Sequence, residues 1–551
     1  MVESPEDLGS GRGTARDSLV VGGCTAVSRA TGVVRVVVVG AVLGPTYFGN
    51  TFQLTNSLPN LIYYGFLAGS LFSSLLVPAL VHHIDRADRA RSAAVSGGFL
   101  GVAWVVMALV VPVAVLALPP LLQVVGSDQS AVATAQVDHA RLLILLTAPQ
   151  VFLYALAGAA TAVMNAHRRF ALAAAAPAVE NLGVIAVLAL VHVLYAGSGT
   201  EAASQPLGKL LLLGLGSTAA VAAHAALQWW GAHRCGVRLR PRWGWRDPEV
   251  VVVVRRAVRS LAQAGLLALQ MLTLLLLASR VAGGTVALQM ALNFYYLPVA
   301  LVATPVGLAL LPRLSRLHRD EDRGPFGEAF VGGLGLALFL AVPAAVGYLL
   351  LAGPVAHVVL AGQMSSEAGF LMLSGSLAAL SLGLVGQTCF FVATQAAYAR
   401  GDTRTPLVSM AIQAAVCLAL CTGAALSSSG EVAVVLLGGS YAVASLVGGG
   451  HLLRRVLVVH AGGGHGLLRS FGRVLVGALL MAGPVALVVR GVVPADGGRA
   501  AWFLALVLGG LVGVAVFFGS QVLLRSPELA SLRSAVHRPS TAVVAGRGAE
   551  S

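Results

Sequence analysis

Polar residues in this chain come in short clusters, and long apolar runs lie between them. About fourteen such runs recur from end to end, each roughly the twenty residues needed to cross a ~30 Å hydrocarbon core. They fall near 18–44, 51–81, 93–118, 140–166, 172–197, 207–232 and 252–281, then near 283–312, 327–353, 367–398, 405–426, 430–458, 470–493 and 500–525. Many are rich in Gly and Ala, as expected where helices pack closely in lipid. The pattern predicts an all-α polytopic membrane protein. Composition agrees: 57% hydrophobic against 11% charged residues excludes a soluble multidomain chain.

The net charge of +14 would suit nucleic acid, but its distribution points elsewhere. Basic residues crowd alternate loops, such as "HHIDRADRAR", "HRCGVRLRPRWGWR", "RLSRLHRDEDR" and "ARGDTRT". The intervening loops, "LGPTYFGN", "YAGSGTEAASQP" and "SSSGE", carry almost none. This positive-inside pattern predicts cytoplasmic termini and a multi-pass protein, with attraction to anionic lipid and no nucleic-acid partner. Residues 1–17 are polar and carry acids, so they are not the basic start of a cleavable signal, and the first helix acts as the insertion signal.

Helices 1–2 and 7–8 share a weak pattern: Gln a few residues before Leu-Pro, a Gly-containing apolar run, Leu/Val-Pro, then basic residues or His. Both run toward the cytoplasm, so the repeat is parallel and predicts two lobes around a central cavity. The expected division is a tail (1–17), a first six-helix lobe (18–233), a second (234–460), two further helices (461–525) and a disordered tail (526–551).

Candidate chemistry is sparse. No Walker A loop, Gly-x-Ser-x-Gly elbow or His-Glu-x-x-His occurs, so neither an enzyme nor nucleotide-powered transport is expected. Cys417 and Cys421 lie one helical turn apart without a His or carboxylate, which reads as packing, and no metal is expected. Charge inside a bilayer is expensive and therefore informative. Arg29 would lie roughly 16 Å into a helix beginning near Ser18, with Arg35 ~9 Å farther along and about 120° around the axis. Glu180, in "PAVENLGV", is an isolated intramembrane acid. It is either a proton- or cation-coupling site or the partner of Arg29 or Arg35. His192 and His224 read as packed or hydrogen-bonded residues. In "YARGDTRTPL", Arg400, Asp402 and Arg404 form either a tight loop pinned by a local salt bridge or an ion-pair gate.

"SRATGVVR" with "SLPNL" behind it, "LAGAATAVMNAHRRFALAAAAPAVENLGVI", "GLALLPRLSRL" and "YARGDTRTPL" together resemble the MurJ/MviN flippases of the MOP exporter superfamily over about residues 18 to 460. The resemblance implies alternating access of two lobes that move a polyprenyl-diphosphate-linked saccharide, lipid II or a relative, to the outer leaflet of the plasma membrane. It assigns the diphosphate to Arg29 and Arg35, because guanidinium grips phosphate through paired charge-assisted hydrogen bonds. Where lipid II-type members carry Asp, this chain has Asn50. Where they carry paired Arg it has Tyr63 and Tyr64, and where the eighth helix carries Arg it has Asn293. These four are expected to face the headgroup without net charge, and Arg280 is either a replacement cation or an interfacial residue. No cofactor is implied; membrane potential, a proton or a monovalent cation would supply the drive. Cell-wall synthesis or division proteins are the implied protein partners. The alternatives are an ion-coupled exporter of small amphipathic or cationic compounds and a non-transporting scaffold for cell-wall synthesis.

Overall fold

The computed structural model describes residues 11–63, 76–86, 88–125, 130–167, 169–196, 205–319, 323–460, 464–494 and 497–530. Among them there is no strand. Eight helices form the first half: α1 (Gly11–Leu43), α2 (Tyr47–Tyr63), α3 (Val77–Asp85), α4 (Arg89–Val125), α5 (Ser130–Thr147), α6 (Gln150–Ala166), α7 (Phe170–Leu194) and α8 (Leu207–Arg234). Eight more form the second: α9 (Pro248–Ala278), α10 (Gly284–Pro298), α11 (Thr304–Arg319), α12 (Arg323–Val359), α13 (Glu367–Ser381), α14 (Leu384–Ala399), α15 (Arg404–Ser427) and α16 (Gly430–His460). α17 (Gly464–Leu480), α18 (Ala482–Val492) and α19 (Arg499–Leu523) follow.

Among the described residues twelve helical stretches are long and apolar enough to span a membrane, and the bent pair α13–α14, kinked by 48°, raises the number to thirteen. Each lies on one of the fourteen expected segments. The remaining segment, 51–81, contains α2 and the start of α3, and residues 64–75 between them, Tyr64 included, lie outside the described residues. Prolines account for local breaks: a π-turn at Val299–Ala303 follows Pro298, where the missing N–H and the ring disturb the helical ladder.

Three expected boundaries shift. α1 begins at Gly11, not near Ser18, and its apolar span is Gly23–Leu43. Arg29 is therefore only ~9 Å from the polar end of that span, and Arg35, ~18 Å in, is the mid-span cation. Residues 526–530, expected in the disordered tail, are ordered: Glu528 accepts hydrogen bonds from Ser470 of α17 and from Ser526. The first lobe also runs past 233. Between α8 and α9 the chain is extended, and its alternation buries Val237 and Leu239 in the first lobe's core while Arg238, Arg240 and Arg242 face out. Gly97, Gly98 and Gly101 of α4 make the groove for this strap, which Arg242 N–H fixes by a 2.9 Å bond to Gly97 O. A Cβ at Gly101 would overlap the Arg242 carbonyl.

The lobes meet through α1, α2 and α4 on one side and α9, α10 and the 3₁₀ turn Gly362–Ser365 on the other. At the end with few basic residues the approach is tight. Gly44 and Gly283 have positive φ (66° and 75°), and a Cβ on them would strike Gln363 and Pro45 respectively. Glycine is required there for both conformation and space. The C-terminal helices are held to α12 by Phe339 against Phe517 and Phe518, and by His357 between Phe370 and Trp502.

Candidate functional site

α1 carries Arg29 and Arg35 along the boundary between the lobes, but they sit in different surroundings. Arg29 is exposed, with no hydrogen bond or ion pair to a described residue. Arg35 points into the first lobe, its side chain 22% exposed, and its guanidinium reaches Glu180 Oε1 at 3.3 Å. Glu180 is brought there by α7, which packs along α1. Asn181, next in sequence, fastens the two helices by donating to Ser28 O and Thr31 Oγ1, both at 3.2 Å.

The carboxylate has two further partners. Tyr154 of α6 donates its hydroxyl to Oε1 at 2.8 Å, and His224 Nδ1 of α8 lies 2.9 Å from Oε2. Tyr63 of α2 stacks on Tyr154, centroids 5.7 Å apart. Four helices of the first lobe thus converge on one buried carboxylate, and α2 backs the cluster through Tyr63. Such burial is tolerable because both oxygens are hydrogen-bonded and a cation lies beside them. Glu180 is therefore paired with Arg35, one of the two arginines that sequence allowed. Tyr154 carries no sequence signal, and His224, read as a hydrogen-bonded residue, has the carboxylate as its partner.

The other expected residues lie apart from this cluster. Asn50 is fully buried at the sparsely charged end, where it ties the lobes together. Its Nδ2 donates to Val281 O at 2.6 Å and Ser279 O at 3.4 Å, and its Oδ1 accepts from Thr285 N–H at 3.0 Å. In this conformation it sits within the seal. Asn293, half-buried on α10, gives its amide hydrogen to Gln289 O of its own helix at 2.8 Å. Arg280 binds Ala425 O near the C-terminus of α15 at 3.0 Å, an end-of-helix contact far from the arginines of α1.

At the basic end, Gly401 takes a positive φ of 72° and Asp402 Oδ1 accepts the N–H groups of Arg404 and Thr405, both at 3.0 Å. The loop is pinned by this cap on α15, and no salt bridge of Asp402 occurs among the described residues. Burial would raise the Asp402 pKa, but the bonds from Thr405 and Arg404 hold it below the ordinary value. Arg400 and Arg404 are left on the rim. Among the described residues no group of three His, Cys, Asp or Glu side chains is placed to hold a metal ion.

Solved structures place this architecture. A MATE family multidrug-resistance transporter of the MOP superfamily, in an inward-facing conformation, matches with a TM-score of 0.59 at 12% identity over 80% of this chain and 96% of its own. Lipid II flippase MurJ in an inward closed conformation matches with a TM-score of 0.71 at 16% identity, covering 92% of this chain and 99% of that one. At these identities the likeness is one of fold: the chain shares the helical architecture of those proteins. Sequence relatives include the probable lipid II flippases MurJ of Rhizobium meliloti, 27% identical over 96% of this chain and 97% of the relative, and of Vibrio cholerae, 25% identical over 71% and 74%. The family model for lipid II flippase MurJ matches residues 39–508, and the chain belongs to that family.

Proposed function

We propose that this protein is a flippase that carries a polyprenyl-diphosphate-linked cell-envelope saccharide, lipid II or a close relative, from the inner to the outer leaflet of the plasma membrane. Family membership supports the substrate class. The observation that carries the site is Arg35, a mid-span guanidinium at the lobe boundary that remains partly accessible. Arg29, about one and two-thirds turns nearer the basic end and unpaired among the described residues, would meet the diphosphate first and Arg35 would receive it. With the basic loops cytoplasmic, the sealed end is external.

The headgroup needs a wet route because its transfer through hydrocarbon would cost many kcal/mol. The polyprenyl chain stays in lipid beside α17–α19. With the inside negative, each net negative charge moved outward gains about 2.3 kcal/mol per 100 mV, so membrane potential supplies drive without a cofactor. Tyr63 lies behind Tyr154 and tunes the site from its back, while Asn50 acts on the opening of the external end. Arg400 and Arg404 line the cytoplasmic rim.

The test is complementation of a strain depleted of its own flippase, together with mass spectrometry of lipids that co-purify with the protein. Wild type restores growth and retains a polyprenyl diphosphate, and Arg29→Ala/Arg35→Ala does neither. Retention of the same lipid by the double variant would refute the site.

A further inference from the structure

Resting on that reading, we infer that Glu180 is a resident counter-ion that the diphosphate must displace from Arg35, so that it sets the strength of the grip and the ease of release. In the structure one of the two candidate phosphate-binding cations already holds an anion: Glu180 Oε1 lies 3.3 Å from the guanidinium. The contact is long for a charge-assisted hydrogen bond, whose usual range is about 2.7–2.9 Å. The two other contacts on the carboxylate are shorter, 2.8 Å from the Tyr154 hydroxyl and 2.9 Å from His224 Nδ1. The carboxylate is thus held more closely by α6 and α8 than by α1. When a diphosphate takes Arg35, Glu180 keeps two hydrogen bonds and stays in place, one on each oxygen. When the substrate leaves, the carboxylate is at hand to take the guanidinium back.

This arrangement solves a problem that two bare cations would create. A mid-membrane guanidinium without a partner is costly in the empty transporter, and a diphosphate bound to it without competition would leave slowly. An internal anion lowers the first cost and the second barrier together. The chemistry selects a ligand able to outcompete a carboxylate for a planar guanidinium. A diphosphate, with several charged oxygens, qualifies, whereas a neutral saccharide or a cationic compound does not.

Three substitutions in the full-length protein, in detergent or nanodiscs, test this, with undecaprenyl diphosphate as the probe and thermal unfolding as the folding control. Glu180→Gln keeps the shape and removes the competing charge, so the probe binds about tenfold tighter, equivalent to about 1.4 kcal/mol, while release and flipping slow. Tyr154→Phe leaves the charge but takes away a bond that retains it, so the probe binds more weakly. In an Arg35→Ala background Glu180→Gln changes nothing. The opposite signs of the first two are what a merely structural role would not produce, since both variants would then weaken binding alike. Unchanged or weaker binding by Glu180→Gln, with wild-type binding still dependent on Arg35, overturns the inference and leaves the proposed function standing. Wild-type binding that ignores Arg35 overturns the proposed site itself.

Discussion

Replacing Asn50 with alanine should unlock the sealed end. Asn50 joins α2 to the turn between α9 and α10 through Thr285 N–H at 3.0 Å and Val281 O at 2.6 Å, and none of its surface is exposed. Alanine would leave the Thr285 N–H unpaired and dry while the seal is shut, yet cost nothing once water enters; Val281 O keeps its 2.9 Å bond from Gly284 N–H. A buried unpaired group costs about 1–3 kcal/mol, so this one, at the middle of that range, sets about 2 kcal/mol against the sealed state alone. That is roughly a thirtyfold change in the ratio of open to sealed molecules, and an open population of about 1% would rise to roughly a quarter. Asn50→Asp keeps the Thr285 bond but sets an oxygen against the Val281 carbonyl, so it opens the seal as well. Spin labels at Gln123, near the end of α4, and Ser429, between α15 and α16, report the separation of the lobes by pulsed electron resonance. A longer-distance component should grow in both variants. If the distances stay at wild type while the melting temperature falls, Asn50 stabilises the lobes without governing their opening, and the reasoning fails.

Other consequences are independent of that seal. Gly101→Ala should lift the strap from its groove, costing about 1–3 kcal/mol as an overpacking change and exposing Arg238–Arg242 to trypsin; equal protection in both proteins would contradict the packing described. The strap's far anchor should fail in acid. Asp247 binds Arg91 at 2.7 Å and caps α9, while Glu249 faces both Arg91 and His83. For Asp247, burial raises the pKa, but the bonds from Arg91 and the backbone outweigh it; for Glu249, the bond with His83 is the largest cause; both carboxyls end below their ordinary values. Their contribution is complete above the unfolded values, about 3.9 and 4.3, and is lost as pH falls through the lower folded ones. Labels at Ala90 and Arg240 should separate below about pH 4, and Arg91→Ala should separate them already at neutral pH. His357→Ala should remove the ring between Phe370 and Trp502 and free α19, lowering the melting temperature by a few degrees, on the order of 1 kcal/mol.

Much of the fold was legible along the chain because hydrocarbon thickness fixes the length of a spanning helix and water excludes charge from it. Those two constraints act on single segments, so the apolar runs, the alternating basic loops and the anomalous charges Arg29, Arg35 and Glu180 could be read one at a time. Order alone also located the family's motifs. Contacts that depend on rotation about a helix axis were a different matter. Asn50 looked like a cavity residue because its position in the motif says nothing of which way its helix turns it. Helix ends were misplaced where polarity and helicity part company, as at Gly11 and around Glu528.

What the sequence determined by itself is therefore the set of helices, their alternation across the membrane and the presence of costly charges among them. Which charges meet was decided only by the tertiary structure. Arg35 and Glu180 are 145 residues apart, and the tyrosine and histidine that complete the cluster come from two further helices. A buried carboxylate is affordable only when several donors reach it at once. That condition belongs to the packing of four helices, and no single helix's sequence can state it.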